Sequence, residues 1–178
     1  MNPVEATPAP VGEAKARQEI SWLVNEAFVT LNLTGTCCSG LDNTTDIPGR
    51  VTQLCKLHPQ LAAEYYELIE TGEKVTPLEA LLRNRHEARH VQDFCNYFPQ
   101  TLGVKSFANQ TYPLHIACEE FPHGESHIII PFLAKKFPEA VRSRDCDDNL
   151  PLHKVCSWRK VPKETSATSS KPTSLFTT

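Results

Sequence analysis

Five consecutive residues, His-Glu-Ala-Arg-His at 86–90, have the spacing with which two histidines on one helix bind a zinc ion. In that arrangement the histidines lie one helical turn apart and the glutamate acts as a general base. Arg89 would place a positive charge beside the metal, and no obvious third ligand follows at a suitable spacing. We therefore expect a solvated turn here. A zinc-dependent hydrolase using His86, Glu87 and His90 is the alternative function.

Histidines and cysteines elsewhere in the chain also have chemical potential. The seven cysteines are odd in number and include no C-x-x-C pair, which disfavours a disulfide framework or a zinc ribbon. Cys118 and Cys156 are expected to act as small apolar packing residues. The sequence shows no Gly-rich phosphate loop and no nucleophile with an accompanying base. We therefore expect no catalytic residue, no bound metal and no cofactor.

Composition bounds the class of protein that must position these residues. The chain has 178 residues and a formal net charge of -3, which suits one domain with tails. It lacks the basic footprint of a nucleic-acid binder. Pro131 interrupts the longest apolar run, far short of the about 20 residues that a spanning helix needs, and the first residues form no secretory signal. We expect a monomer in the cytoplasm, with the nucleus as the alternative, that contacts neither nucleic acid nor membrane.

Two short phrases alternate along the chain from residue 48 onward. In the first, a proline follows an apolar stretch; these prolines lie 40 and 39 residues apart, at Pro59, Pro99 and Pro138. In the second, a leucine follows the proline; these prolines lie 36 and 38 residues apart, at Pro77, Pro113 and Pro151. Two interleaved phrases with one common period predict an internal repeat.

Each phrase marks one end of a helix. Proline at the first helical position loses no hydrogen bond, because that N–H has no partner in any case. A residue before proline is pushed out of the helical region, so the other phrase marks a helix end. The repeating unit is therefore a pair of helices. An apolar stripe that begins at Ile20 predicts an additional amphipathic helix over residues 13–33.

The phrases Pro-Leu-His-Ile-Ala-Cys at 113–118 and Pro-Leu-His-Lys-Val-Cys at 151–156 resemble the Thr-Pro-Leu-His-x-Ala signature of ankyrin repeats. The residues that carry this signature are Pro77, Leu78, Pro113, Leu114, His115, Pro151, Leu152 and His153. The resemblance implies an all-α solenoid of about three helix pairs, the last one incomplete, with projecting hairpin-like loops. It also implies that the signature histidines make structural hydrogen bonds.

The sequence departs from the family pattern at several points. The period exceeds the usual value of about 33 residues, so the loops must carry extra residues. Glu79 replaces the signature histidine in the first phrase. Tyr112 and Leu150 stand where a capping threonine is usual, so we expect Thr111 and Asn149 to cap those helices instead.

The resulting division of the chain has five parts. They are a disordered leader (1–12), the N-terminal helix (13–33), a loop (34–47), the ankyrin-like repeats (48–158) and a disordered Ser/Thr/Lys tail (159–178). The resemblance implies a non-enzymatic module that binds a protein or peptide. The contact positions that it implies are Lys105, Asn109, Glu119, Glu120, Asp147 and Lys154. A truncated fragment of a longer repeat array is a further alternative.

Overall fold

A computed structural model of the chain describes residues 11–34, 46–121 and 125–157, without the side chains of 11 and 27–34. Its α-helices are α1 (Val11–Thr34), α2 (Ile47–Leu57), α3 (Pro77–Arg83), α4 (Ala88–Tyr97), α5 (Pro113–Glu120), α6 (Ser126–Lys136), α7 (Glu139–Arg142) and α8 (Pro151–Ser157). Strands β1 (Tyr66–Glu67) and β2 (Lys74–Val75) form one antiparallel hairpin. The all-α class that the sequence predicts is therefore confirmed.

The N-terminal helix covers one end of the core. Ile20, Leu23 and Val24 are buried, as the apolar stripe predicts, and α1 packs against α2 and α3. The helix begins two residues earlier and ends one residue later than the sequence interpretation placed it. The predicted leader before residue 11, the loop at 35–45 and the tail beyond residue 157 lie outside the described residues.

Three helices begin at the prolines of the second phrase. Pro77, Pro113 and Pro151 are the first residues of α3, α5 and α8. Thr76 and Tyr112, which precede two of them, have nearly the same extended backbone, with φ -85° and ψ 160° at Thr76 and φ -77° and ψ 157° at Tyr112. Repetition of the phrase is thus accompanied by repetition of the local conformation.

The caps of these three helices differ. Thr76 Oγ1 accepts a hydrogen bond from the backbone N–H of Glu79, at 3.2 Å. Tyr112 is the cap residue of α5 and makes no side-chain capping bond. The expectation that Thr111 caps this helix is wrong, because the helix begins one residue too late for its hydroxyl to serve. At α8 the ring of His153 accepts from the N–H of Leu150, at 3.2 Å, in place of the capping bond expected from Asn149.

Three other helices end before the prolines of the first phrase. The residue that follows α2, α4 and α6 leaves the helical region each time, with φ values of -135°, -128° and -137° at His58, Phe98 and Phe137. Its N–H still donates to the carbonyl four residues earlier. Steric conflict between the proline ring and the preceding residue explains the common stop. Short 3-10 helices, Pro59–Ala63 and Pro99–Gly103, follow the first two stops.

The helices pack in pairs and in rows. The pairs are α1 with α2, α3 with α4, and α5 with α6. In addition, α3 packs on α5 and α5 on α8, while α2 packs on α4 and α4 on α6. A single apolar core connects these contacts, and Phe94, Leu82 and Ile129 are among its fully buried side chains. None of the helices in the described ranges combines the length and apolar character that crossing a membrane requires.

Pro131 lies inside α6, which begins at Ser126 and continues through it to Lys136. One expectation for the later helices needs correction. Cys156 was expected to be buried like Cys118, yet Cys156 is exposed while Cys118 is buried. The reason is that α8 has packing partners on one side, in α5 and α7, and Cys156 lies on its uncovered side. The cysteines of the described ranges are free thiols.

Candidate functional site

The loops that precede α5 and α8 lie side by side. Lys105 and Asn109 belong to the first loop and Asp147 to the second. The carbonyl of Asn109 accepts a hydrogen bond from the N–H of Cys146, at 3.4 Å. Both loops contain a residue with left-handed backbone, Gln110 (φ 53°) and Asp148 (φ 64°). The structure therefore brings three of the sequence-predicted contact residues to one edge of the fold.

Two other predicted contact residues bind each other. Lys154 Nζ of α8 lies 3.6 Å from Glu119 Oε2 and 3.2 Å from Asp145 Oδ2. Burial acts to lower the pKa of Lys154, but its hydrogen bond to Asp145 and the nearby carboxylates raise the pKa above the ordinary lysine value. Asp145 also accepts from the backbone N–H groups of Asp147 and Asn149. Lys154 thus ties α8 to α5 and to the loop before α8.

Glu120, the last residue of α5, is also paired. Its carboxylate lies 3.6 Å from the guanidinium of Arg85. Burial raises the pKa of Glu120, and the charge of Arg85 partly offsets that increase. This pair links α5 to the turn between α3 and α4, so the side chain has a structural function.

The signature histidine of α5 is fully buried. His115 Nε2 lies 3.1 Å from the carbonyl oxygen of Ser143, which joins α5 to the segment that follows α7. Burial is the largest influence on its pKa, which is lowered from the ordinary value. A buried ring that bonds a backbone carbonyl fits a structural hydrogen bond rather than a catalytic role.

The His-Glu-x-x-His stretch does not have zinc-binding geometry. His86 precedes α4, Glu87 is the cap residue of that helix and His90 lies inside it, so the two histidines do not occupy adjacent turns of one helix. Glu87 is occupied by an ion pair with Arg89, at 2.7 Å. Within the described ranges, no cluster of three or more His, Cys, Asp or Glu side chains is placed to hold a metal.

Exposed aromatic rings meet where the β1–β2 hairpin touches the loop before α5. Tyr65 precedes β1, and its ring packs edge to face on that of Phe107, with centroids 5.7 Å apart. The hydroxyl of Tyr65 donates to the carbonyl of Lys105, at 2.6 Å. Both rings remain accessible, since Tyr65 is 42% and Phe107 55% exposed. Large exposed rings that are held by specific contacts are typical of binding surfaces.

Two lysines lie over rings of the same surface. Lys74 Nζ of β2 is 5.2 Å from the centroid of Phe107, and Lys105 Nζ is 5.0 Å from that of Tyr112. We call Tyr65, Lys74, Lys105, Phe107 and Tyr112 the aromatic–lysine patch. It joins two successive loops and has both apolar surface and positive charge.

The segment that carries Tyr65 and Lys74 of the patch is anchored to α1. The Asn25 amide donates to the carbonyl of Glu67, at 3.2 Å, and its oxygen accepts from the N–H of Ile69, at 2.7 Å. Arg17 donates two hydrogen bonds to the carboxylate of Glu64, both at 2.8 Å. Paired bonds of this kind fix orientation as well as distance. The hairpin is therefore held by side chains of the N-terminal helix.

Sequence reasoning found one member of the patch, Lys105, and missed the other four. Phe107 carries a usable signal, because a large aromatic residue stands among small and polar ones in a predicted loop, Ser-Phe-Ala-Asn at 106–109. Tyr65 and Lys74 gave no such signal, since the sequence interpretation implied hairpin-like loops without giving the positions of the strands.

Comparison of the chain with protein-family models, with curated proteins and with solved structures found no match.

Proposed function

We propose that this protein is a non-enzymatic interaction scaffold, built as an ankyrin-like solenoid, that binds a protein or peptide. The proposal is supported by the repeated local geometry at the helix starts and stops and by the row-wise packing of α3, α5 and α8. Stacked repeats of this kind present an extended binding surface. Their affinity comes from surface side chains rather than from a catalytic pocket.

The aromatic–lysine patch is the observation that carries the proposal. An exposed edge-to-face pair is unusual on a surface that stays in water, because both rings keep apolar area hydrated. Tyrosine and phenylalanine are also enriched at protein interfaces, and tyrosine is enriched among the residues that dominate their binding energy. Lys105, Asn109 and Asp147 are the sequence-predicted contact positions that fit this surface. Glu119 and Lys154 form an ion pair between α5 and α8 instead, and Glu120 pairs with Arg85 in the turn between α3 and α4.

Site-specific photo-crosslinking tests the proposal. A photoreactive phenylalanine analogue replaces Phe107 in one variant and Tyr97 in a second, expressed as the full chain in cells. Tyr97 is a matched control, because it is 56% exposed and its ring lies under Lys56, with the ammonium 3.5 Å from the centroid. We expect a crosslinked partner protein from position 107 that is absent at position 97. Equal crosslinking from both positions, or none at position 107, would contradict the proposal.

A further inference from the structure

We propose that the aromatic–lysine patch binds an acidic peptide segment of a partner protein, one in which carboxylates flank an apolar side chain. This inference rests on the proposed scaffold function and specifies the chemistry of its partner. Two features of the patch support it: lysines that have no carboxylate partner among the described residues, and a preorganised pair of accessible rings.

The charges of the patch are available to a ligand. Several cations of the described ranges form ion pairs; Arg17, Arg50, Arg83 and Lys154 are examples. By contrast, neither Lys74 nor Lys105 lies within ion-pair distance of a carboxylate in this part of the chain, and each faces an aromatic ring. Glu67 stands opposite Lys74 in the hairpin register, but the Lys74 ammonium lies over the ring of Phe107.

A carboxylate can replace an aromatic ring as the partner of a lysine ammonium group. A cation–π contact at an exposed site contributes about 0.5–1 kcal/mol. A charge-assisted hydrogen bond to a carboxylate is stronger, particularly where a bound ligand excludes water. An acidic segment would therefore bind both ammonium groups and leave the rings of Phe107 and Tyr112 to contact its apolar side chain.

The rings are already positioned for that contact. The Tyr65 hydroxyl is held by the Lys105 carbonyl, and the Tyr65 ring contacts Phe107. Rigid aromatic side chains lose little conformational entropy when they bind a ligand. The same hydrogen bond fixes the backbone from which Lys105 extends, so the apolar and charged parts of the patch keep a constant relative position.

The surroundings favour a peptide over a nucleic acid. The segment that contains Lys74 also carries Glu67, Glu70 and Glu73. Aromatic rings with lysines can also bind single-stranded nucleic acid, but that mode needs a positive groove that follows a phosphate on every nucleotide. Two lysines beside three glutamates do not provide such a groove, whereas a peptide can place one or two carboxylates at the lysines alone.

Binding of defined probes by the full chain tests the inference. The probes are a fluorescein-labelled peptide of alternating Glu, Ser and Phe, its counterpart with Lys in place of Glu, and labelled oligothymidylate. The double substitution Lys74→Glu/Lys105→Glu should lower the affinity for the acidic peptide by at least about tenfold. The matched control is Lys15→Glu/Lys135→Glu, which changes two exposed lysines of α1 and α6 and has the same effect on net charge. It should change the affinity by less than about twofold, since distant surface charges are screened.

Three results would overturn the inference. One is equal affinity for the acidic and basic peptides. Another is an equal loss of affinity for the acidic peptide in the patch and control variants. The third is oligothymidylate binding that exceeds peptide binding and disappears in Lys74→Glu/Lys105→Glu. Crosslinking at position 107 separates this inference from the scaffold function. A partner captured there through a segment without Asp or Glu overturns the acidic assignment alone, whereas no capture overturns both.

Discussion

Helices α5 and α8 begin with phrases that share Pro, Leu, His and Cys at four of six positions, yet their surroundings are very different. In α5, Leu114 is 4% exposed and Cys118 and His115 are buried. In α8, Leu152 is 65% exposed, and Cys156 and His153 are also exposed. The difference arises because α5 is surrounded by α3, α6, α7 and α8, whereas α8 contacts α5 and α7.

This contrast separates what the phrase encodes from what its neighbours supply. Proline at the first position starts both helices, and that effect is local. Burial of the leucine and cysteine depends on neighbouring helices, and α5 packs against α3 and α6 in addition to α7 and α8. The signature thus encodes the start of a helix, whereas the burial of that helix depends on its neighbours.

Thiol reactivity offers the largest expected contrast. Burial raises the pKa of Cys118 to about 12 and keeps reagents away from it, whereas Cys156 is exposed. Because the thiolate is the reactive form, iodoacetamide should modify Cys156 at least about 100-fold faster than Cys118 in the native protein. Mass spectrometry of the digested protein would measure both rates. Protection of Cys156 equal to that of Cys118 would show that the outer face of α8 is covered.

Truncation of the two equivalent leucines measures how much each one contributes to the packing of α5 and α8. Leu114→Ala removes a buried side chain and leaves a cavity, so it should lower the free energy of unfolding by about 3 kcal/mol. Leu152→Ala removes an exposed side chain and should change it by less than about 0.5 kcal/mol. Urea unfolding followed by circular dichroism would measure both values. Similar losses in the two variants would mean that α8 packs as tightly as α5.

A pH-dependent test extends the comparison to His86, a partly buried histidine in the turn that was expected to be solvated. Burial, with a contribution from His90, lowers the pKa of His86 from 6.5 to about 4, and its Nε2 has no hydrogen-bond partner in the described ranges. The unfolded chain therefore binds more protons than the folded chain between these values. The stabilisation is complete above pH 6.5 and is lost as the pH falls towards 4, by about 2 kcal/mol at pH 5.

The control for this prediction is His86→Leu, which removes the titrating ring. His115 is also buried with a lowered pKa, so its titration also lowers the stability as the pH falls. The buried carboxyl of Glu79 has a raised pKa, so its titration raises the stability as the pH falls. The variant should therefore lose less stability than the parent protein between pH 7 and pH 5 in urea unfolding. Identical losses in the two proteins would show that His86 is solvated in the folded state.

Helix boundaries were the most predictable part of the fold, because proline acts on its own residue and the preceding one. The starts at Pro77, Pro113 and Pro151 and the stops before Pro59, Pro99 and Pro138 follow from that local effect. The resemblance implied hairpin-like loops, but the positions of the strands were not predicted, since β1 and β2 have only two residues each. The burial of Cys118 and the exposure of Cys156 could not be predicted either, because residues distant in the chain decide burial.

The candidate site was less predictable than the fold. Lys105 was found because its position follows from the repeat register. Tyr65 and Phe107 meet across 42 positions of the chain, and neither residue type alone indicates the other. Glu119 and Lys154 look like exposed contact residues in the sequence, but they are paired in the structure. Pairing of this kind depends on the distance between α5 and α8, which the repeat period does not determine.

The anchoring of the β1–β2 hairpin by Asn25 and Arg17 limits how far the protein can be shortened without disturbing the patch. A fragment that begins at residue 46 would keep every member of the patch but lose the amide and guanidinium that hold residues 64–69. The smallest fragment that keeps the patch in place therefore includes α1. Engineered versions that transplant these loops onto another scaffold would need to transplant that helix with them.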